Sequence, residues 1–323
     1  MPSNQKSNAN YASGDNLLLT LFAFACIYFV WGSTYLAIRY AVETIPPLFV
    51  AGSRHLIAGG LLFGWCWWQG LRPTRQQWFA SIVLAVLFFL IGHGTLHWAQ
   101  QTLPSGVAAF LIATEPIFVA IIVSAIHRSR ITPSLLLGLL LGLLGVGLII
   151  GAEVQTGSAE LLTSIAVLIG AASWSVGLVY SRSGKLHPDP RMSAAMSLLA
   201  GSVMLLLGGM ITGEGARLYV NLVSLKSLLA LVYLAVAGSL VAYSAYFWLL
   251  NRFSPTLIAT HTYVNPLVAV ILGWAIGGES LTNRFLFGGL LVIAAIALVG
   301  RANSREQTAA RSASSYDREI EST

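Results

Sequence analysis

Glu115 is the residue of this chain whose type and position are hardest to explain by packing alone. It lies in the apolar run 109–121, near the middle of a segment long enough to cross a membrane as a helix. An acidic side chain there costs about 2.5–3.5 kcal/mol and normally faces a bundle interior or a wet cavity. Glu115 is therefore a candidate group for binding substrate or protons. The alternative is a carboxyl that only locks a neighbouring helix by hydrogen bonds.

A second polar residue followed by proline, Asn265-Pro266, lies 150 residues after Glu115-Pro116. Each proline leaves one carbonyl of the preceding turn without its helical partner, so both are candidate hinges. The Asn265 amide can donate and accept hydrogen bonds, and His261 precedes it by one turn on the same face. We expect Glu115, Asn265 and His261 to surround one substrate-binding site.

His93 and His97 share a helix face, where they form either a polar lining near an outer mouth or a hydrogen-bonded packing contact. No third ligand is apparent beside them, so we predict no metal site. We also predict no cofactor and no catalytic residue. Arg54, within another apolar run, either extends its charge to the membrane surface or pairs with Glu115 or a substrate carboxylate. A structural role is the favoured interpretation of Arg54.

Aromatic residues accumulate on the same segments as these polar residues. Their rings can line a cavity for organic solutes or hold a cation, but they also mark membrane interfaces. The candidate lining residues are Trp31, Tyr35, Trp98, Trp174, Tyr243, Tyr246 and Tyr263.

The composition indicates what kind of molecule must position these side chains. Of 323 residues, 56% are hydrophobic and 9% are charged, with a mean hydropathy of +0.75. An ordinary soluble domain has about 25% charged residues. So few charged groups cannot cover a soluble surface, which excludes a soluble enzyme, a nucleic-acid-binding protein and a disordered chain. We predict an all-α integral membrane protein.

Ten apolar runs are long enough to be membrane-spanning helices. With the N-terminus inside, 13 of the 18 Lys and Arg residues fall in inner segments and four in outer loops. This bias predicts that both termini are cytoplasmic. The tail 1–16 is polar, and the tail 302–323 has too little apolar content to fold alone. The runs are 17–38, 47–68, 76–96, 101–126, 133–151, 161–181, 192–212, 225–249, 253–276 and 284–301.

The two halves of the chain resemble one another weakly. Trp98 and Trp248 are 150 residues apart, as are Gly138 and Gly288. Each half, 17–152 and 161–301, holds five predicted spans. An odd number makes the second half cross the membrane in the opposite sense, so we predict two inverted five-helix repeats around a central cavity. Glycine steps such as Gly60–Gly64 are expected at helix–helix contacts.

A set of short motifs resembles the EamA type of the drug/metabolite transporter superfamily, and within it the YedA-like inner-membrane members. The resemblance covers 17–301 and implies a ten-helix secondary transporter, often an exporter of amino acids, metabolites or toxic compounds. Glu279 has Ser129 as its counterpart, so a symmetric role for that loop pair is not expected. The motifs are Trp31-Gly32-Ser33-Thr34-Tyr35, Pro46-Pro47, Pro104-Ser105-Gly106, Tyr263-Val264-Asn265-Pro266 and Gly278-Glu279-Ser280-Leu281-Thr282.

The leading interpretation is a multi-pass secondary transporter that exports small organic solutes across a bacterial-type inner membrane by alternating access. Its partners would be a small-molecule substrate, membrane lipid and protons as a candidate coupling ion, with no nucleic acid. A phosphorylated sugar or nucleotide sugar is the alternative substrate, but it calls for several buried Lys or Arg residues. A membrane-embedded lipid or isoprenoid enzyme is the alternative of another class, which would need clustered acids or histidines.

Overall fold

The computed structural model describes residues 14–127, 133–153, 158–250, 252–253, 258 and 261–298, where all regular structure is helical. The predicted tail 302–323 and most of the predicted tail 1–16 lie outside these residues. In chain order the helices are α1 (Leu17–Ala41), α2 (Pro47–Trp68), α3 (Arg75–Ala99), α4 (Ser105–Ile126), α5 (Pro133–Glu153), α6 (Ala159–Ser183), α7 (Pro190–Ile211), α8 (Leu225–Leu250), α9 (His261–Ala275) and α10 (Asn283–Leu298).

Seven of the described helices are long and apolar enough to cross a membrane, namely all except α5, α9 and α10. Each of the ten predicted runs falls on one of these helices. The largest difference is at 253–276, where α9 begins at His261 and most of 253–260 is outside the described residues. Two single turns, Glu214–Arg217 and Val220–Leu222, fill the connection between α7 and α8.

The distribution of side chains is the reverse of that in a soluble protein. Leu61, Leu143 and Leu290 are exposed on the outside of the bundle, whereas Arg54 and Glu115 are buried. Exposed leucines on helices of this length are typical of a surface that faces lipid. The polar groups are thus inside, where they must find partners or a cavity.

The closest helix contacts join the first half of the chain to the second. Helices α2 and α7 touch so tightly that a Cβ on Gly59 would lie 2.9 Å from both Leu198 Cβ and Leu199 N. Helices α3 and α6 meet at Gly92 and Gly170 in the same manner. The glycine steps do not all mark contacts, because Gly60, Gly64 and Gly147 have nothing within 4 Å. The expectation is wrong for these three glycines, since four-residue spacing places two glycines on one face without indicating which face packs, but it is confirmed for Gly142, where a Cβ would lie 2.5 Å from Ile117 Cδ1.

Several helices are irregular at one level of the bundle. Helices α1, α3 and α8 contain π-helical stretches at Cys26–Val30, Val86–His93 and Leu234–Val241. Helix α4 consists of two segments, Ser105–Ile112 and a second one that begins at Glu115, so it is interrupted at the turn before Pro116. Helix α9, by contrast, continues through Pro266. Such irregularities are frequent at functional sites because they release backbone groups and redirect side chains.

Charged side chains outside the bundle core hold two helix ends in place. Glu279 accepts hydrogen bonds from Ser105 N (2.7 Å) and Gly106 N (3.3 Å) at the start of α4, and Arg39 Nη1 lies 3.5 Å from its Oε1. Asp189 caps α7 by accepting from Arg191 N (2.8 Å). The hydrogen bonds from the Arg191 side chain hold the pKa of Asp189 below its ordinary value.

Candidate functional site

A central cavity lies among the irregular segments of the bundle, and its space open to the centres of water molecules is about 60 Å³. A space of this size holds a few water molecules, so a larger organic solute requires the wall to open. Nine of the thirteen predicted site residues line it: Trp31, Tyr35, Arg54, His93, Glu115, Trp174, Tyr243, His261 and Asn265. These residues come from α1, α2, α3, α4, α6, α8 and α9, so both halves of the chain contribute to the wall.

Three of the other four predicted residues are not among those that line this wall. Trp98 is 37% exposed and lies five positions after His93 on the helix, which turns it well away from the face that carries His93. His97 is fully buried, and its Nδ1 lies 2.7 Å from His93 O. Tyr246 supports the wall from behind, with its ring 4.9 Å from that of Trp31. The side chain of Tyr263 lies outside the described part of the chain.

Glu115 lies where the second segment of α4 begins, on the cavity wall. It is 3% exposed. Its own carbonyl accepts a hydrogen bond from Ser175 Oγ (3.1 Å), which ties the interruption of α4 to α6. In the described part of the chain Glu115 makes no ion pair; the three that occur are Arg39–Glu279, Arg191–Asp189 and Lys226–Glu43. No ion pair among the described residues therefore neutralises this carboxyl.

Asn265 contributes differently from expectation. In the orientation that satisfies both ends of its amide, its nitrogen donates to the carbonyls of Ile27 (2.9 Å), Tyr28 (2.7 Å) and His261 (3.2 Å). Ile27 and Tyr28 belong to the π-helical stretch of α1, so Asn265 joins α9 to that stretch. Its donor end is committed to backbone, which leaves only the oxygen for a solute.

A continuous chain of polar side chains crosses one side of the cavity. Arg54 Nε donates to Ser239 Oγ (2.8 Å), and Ser239 Oγ lies 3.4 Å from His55 Nδ1. His55 Nε2 lies 2.9 Å from His93 Nδ1, and His93 Nε2 lies 2.9 Å from Tyr243 OH. Helices α2, α3 and α8 are thus joined through side chains. Arg54 does not extend to the membrane surface, because it is 1% exposed and belongs to this series of hydrogen-bonded side chains.

Sequence reasoning missed His55 and Ser239. A histidine beside Arg54 within an apolar run is itself a signal, because an ionisable residue inside a span usually has a partner. Ser239 carries no such signal, since a serine at a helix contact is common.

Aromatic rings form an adjoining part of the wall, in direct contact with Tyr243 and His93. The ring of Trp31 lies 5.2 Å from that of Tyr243 and 5.3 Å from that of His261, and its Nε1 donates to Gly238 O (3.2 Å). The Trp174 ring stacks on His93 with centroids 5.5 Å apart and planes at 15°. These packed rings present apolar faces to the cavity.

Metal binding has no observed basis in the described residues. No three His, Cys, Asp or Glu side chains there are grouped so that they could hold an ion. The absence of a resident metal remains a prediction.

Comparison with known proteins identifies the type of chain. The model of the EamA-like transporter family matches residues 18–151 and 161–301. The uncharacterized inner membrane transporter YedA of Escherichia coli (strain K12) is 37% identical over 284 residues, which cover 86% of this chain and 90% of that protein.

More distant similarities extend over the same length. An S-adenosylmethionine/S-adenosylhomocysteine transporter of Chlamydia trachomatis is 29% identical over 289 residues, or 85% of this chain and 87% of that protein. One solved crystal structure resembles this fold with a TM-score of 0.62 at 20% identity. The match covers 88% of this chain and 97% of the chain in that crystal structure. That likeness concerns the fold alone.

Proposed function

We propose that this chain, which belongs to the EamA-like transporter family of the drug/metabolite transporter superfamily, is a secondary active exporter of small organic solutes. The observation that carries the proposal is the central cavity, whose wall combines Glu115 and Arg54 with packed aromatic rings. A cavity between both halves of a duplicated transporter is where a solute binds during alternating access.

The wall favours neutral, zwitterionic or cationic organic solutes. Aromatic faces provide apolar contact for varied side chains and attract cations, and one carboxyl and one guanidinium provide a polar group of each sign. A relative is named as a transporter of S-adenosylmethionine and S-adenosylhomocysteine. Both solutes carry an amino acid head group, so amino acids and related metabolites are the first candidates here.

Glu115 is the proposed coupling group. A buried carboxyl is costly when charged and less so when protonated, so it takes up a proton when the cavity is closed and dry. Opening of the cavity to one side hydrates the group and releases the proton there. The interruption of α4 at Pro116 lies next to the carboxyl, so protonation and bending can be linked at one point.

The two halves are proposed to be inverted repeats with both termini in the cytoplasm of a bacterial-type cell. The bias of Lys and Arg toward inner segments supports this orientation. The pairing of α2 with α7 and of α3 with α6 supports a pseudo-twofold arrangement. The direction of transport rests on the family resemblance, which favours export.

A phosphorylated solute is the less favoured substrate. Arg54 is the basic side chain on the described cavity wall, whereas a phosphate in a dry site calls for several Lys or Arg donors. An enzyme acting on lipid is less favoured because the matching family and the relative YedA are both named as transporters.

Purified protein in liposomes tests this proposal. We expect uptake of at least one neutral amino acid, organic amine or S-adenosylmethionine, faster than in protein-free liposomes and dependent on a proton gradient. A hexose phosphate should enter no faster than in the protein-free control. Faster transport of the hexose phosphate than of every uncharged, zwitterionic or cationic solute would refute the electrostatic argument, and conversion of added lipid without solute uptake would refute the transporter.

A further inference from the structure

Arg54 is a buried cation that has no anionic partner among the described residues. The side chain is 1% exposed and lines the cavity, yet none of the three ion pairs in this part of the chain includes it. Its Nη1 is buried and has no hydrogen-bond partner there. An uncompensated buried charge with an orphaned donor is costly, so it persists where a ligand supplies the missing partner.

The surrounding structure holds this guanidinium in one place. Ser239 Oγ accepts the hydrogen bond from Nε (2.8 Å), which fixes the plane of the guanidinium. Gly238 provides the space beside it, because a Cβ there would lie 3.0 Å from Arg54 Nη2 and 2.8 Å from Thr34 Cγ2. The head group is therefore positioned for recognition at one part of the wall and is not a freely moving side chain.

We propose that Arg54 is the anchor for the carboxylate of the transported solute, and that the cavity therefore selects zwitterions with a carboxylate at Arg54 and an amine toward Glu115. This inference rests on the proposed transport function and names its substrate class. A guanidinium has the planar donor geometry that a carboxylate fits. Glu115 lines the same cavity without pairing with Arg54, so both groups remain open to a solute that carries both charges.

Matched solutes that differ only in the carboxylate test the anchor. The probes are L-leucine, L-methionine and L-phenylalanine, each with its carboxamide, which keeps the amine and the side chain but removes the negative charge. In proteoliposomes we expect the amino acids to compete for binding or uptake at least about tenfold better than their amides, because a charge-assisted pair is lost in the amide.

Substitutions at the anchor should change this ratio and not merely the total activity. Arg54→Gln is expected to bring the acid-to-amide ratio to within about threefold of unity, since only uncharged hydrogen bonds remain. Ser239→Ala keeps the charge of Arg54 but removes the hydrogen bond that orients its guanidinium. We therefore expect an acid-to-amide ratio between those of the natural protein and Arg54→Gln, and a smaller effect on folding than that of Arg54→Gln. Lys226→Gln removes a positive charge that pairs with Glu43 away from the cavity and should leave the ratio unchanged.

Several results would overturn the anchor. Equal competition by acids and amides in the natural protein would do so, as would an unchanged ratio in both Arg54→Gln and Ser239→Ala, which would make Arg54 a structural residue. Should Arg54→Gln fail to fold, Ser239→Ala and Arg54→Lys decide the matter through the same ratio. Transport of amines or amides without preference for the acids refutes the anchor but leaves the transporter intact, whereas uptake of no probe of any class refutes both.

Discussion

Glu115 and Arg54 place an acidic and a basic group on the wall of one cavity without neutralising each other in an ion pair. In a dry interior an isolated charge is expensive, so each group needs a proton, a hydrogen-bonded neighbour or a ligand. Ser239 and the adjoining histidines surround Arg54 with polar groups that carry no formal counter-charge. This separation leaves one group of each sign on the cavity wall to meet a polar solute and a proton.

Glu115→Gln keeps the shape and hydrogen-bonding capacity of the side chain but removes its charge change. We expect near-normal expression, retention of solute exchange without a gradient, and at least about a tenfold loss of gradient-driven accumulation, since no proton can be carried at this position. Uptake and counterflow in proteoliposomes measure the two activities separately. Glu43→Gln, which alters an exposed carboxylate paired with Lys226, is the matched control. Unchanged dependence on the gradient in Glu115→Gln would reduce Glu115 to a structural group.

For single residues, the sequence predicts which ones line the cavity better than it predicts their contacts. Glu115 and Asn265 were expected on one cavity because an offset of 150 aligns them, and both line it. The commitment of the Asn265 amide to Ile27 and Tyr28 could not be predicted, because it depends on carbonyls released by a π-helical stretch that has no composition of its own.

Helix boundaries were more predictable than helix irregularities. The ends of α2 agree with the predicted run 47–68, because hydropathy and Pro47 mark the helix. The interruption of α4 has a sequence signal in Pro116, whereas Pro266 carries the same signal and α9 continues through it. Tertiary packing decides between these outcomes. Whether a proline breaks a membrane helix depends on the neighbouring helices, which can satisfy the backbone groups that the proline frees.

The contact between α2 and α7 provides a matched pair of substitutions. Gly59→Ala places a methyl group 2.9 Å from Leu198 Cβ and from the backbone nitrogen of Leu199, so we expect about 1–3 kcal/mol of destabilisation. Gly60→Ala adds the same group where nothing lies within 4 Å, and it should be neutral or stabilising. Thermal unfolding of both variants in detergent measures the difference. A Gly59→Ala protein as stable as Gly60→Ala would contradict the close packing.

The cap of α7 predicts a dependence of stability on pH. Hydrogen bonds from Arg191 lower the pKa of Asp189, so the carboxylate stabilises the folded state above its ordinary pKa of 3.8, and this contribution is lost as the pH falls through the lowered value. Asp189→Asn should be less stable than the natural protein at pH 7, by up to about 1 kcal/mol. The difference should shrink below pH about 4. Unfolding midpoints that differ equally at pH 7 and pH 3 would show that the charge contributes nothing.

The whole molecule is a membrane-spanning bundle in which helices from the two halves alternate around the cavity. Composition was sufficient to predict that it is a membrane protein, because 9% charged residues are too few to cover the surface of a soluble protein. The cavity itself could not be located from composition. It depends on which faces of α1, α3 and α8 turn inward at their π-helical stretches.

The distribution of charge predicts the topology. Reporter fusions at the C-terminus should be active only for a cytoplasmic reporter, since 13 of 18 basic residues lie in segments assigned to the inside. A fusion in the loop between α3 and α4 should give the opposite result and serves as the control. A periplasmic C-terminus would remove the argument for ten spans and, with it, the inverted repeat.

The central claim is that this bundle moves an organic solute against its gradient through the cavity between its halves. The direct measurement is accumulation of an amino acid substrate in proteoliposomes with an imposed proton gradient, with a protonophore as control. We predict that the solute exceeds its external concentration by at least about threefold, since a gradient of one pH unit provides at most about 1.4 kcal/mol per proton. The protonophore should abolish the excess. A solute that enters through the protein but only equilibrates, with or without the gradient, would contradict active transport.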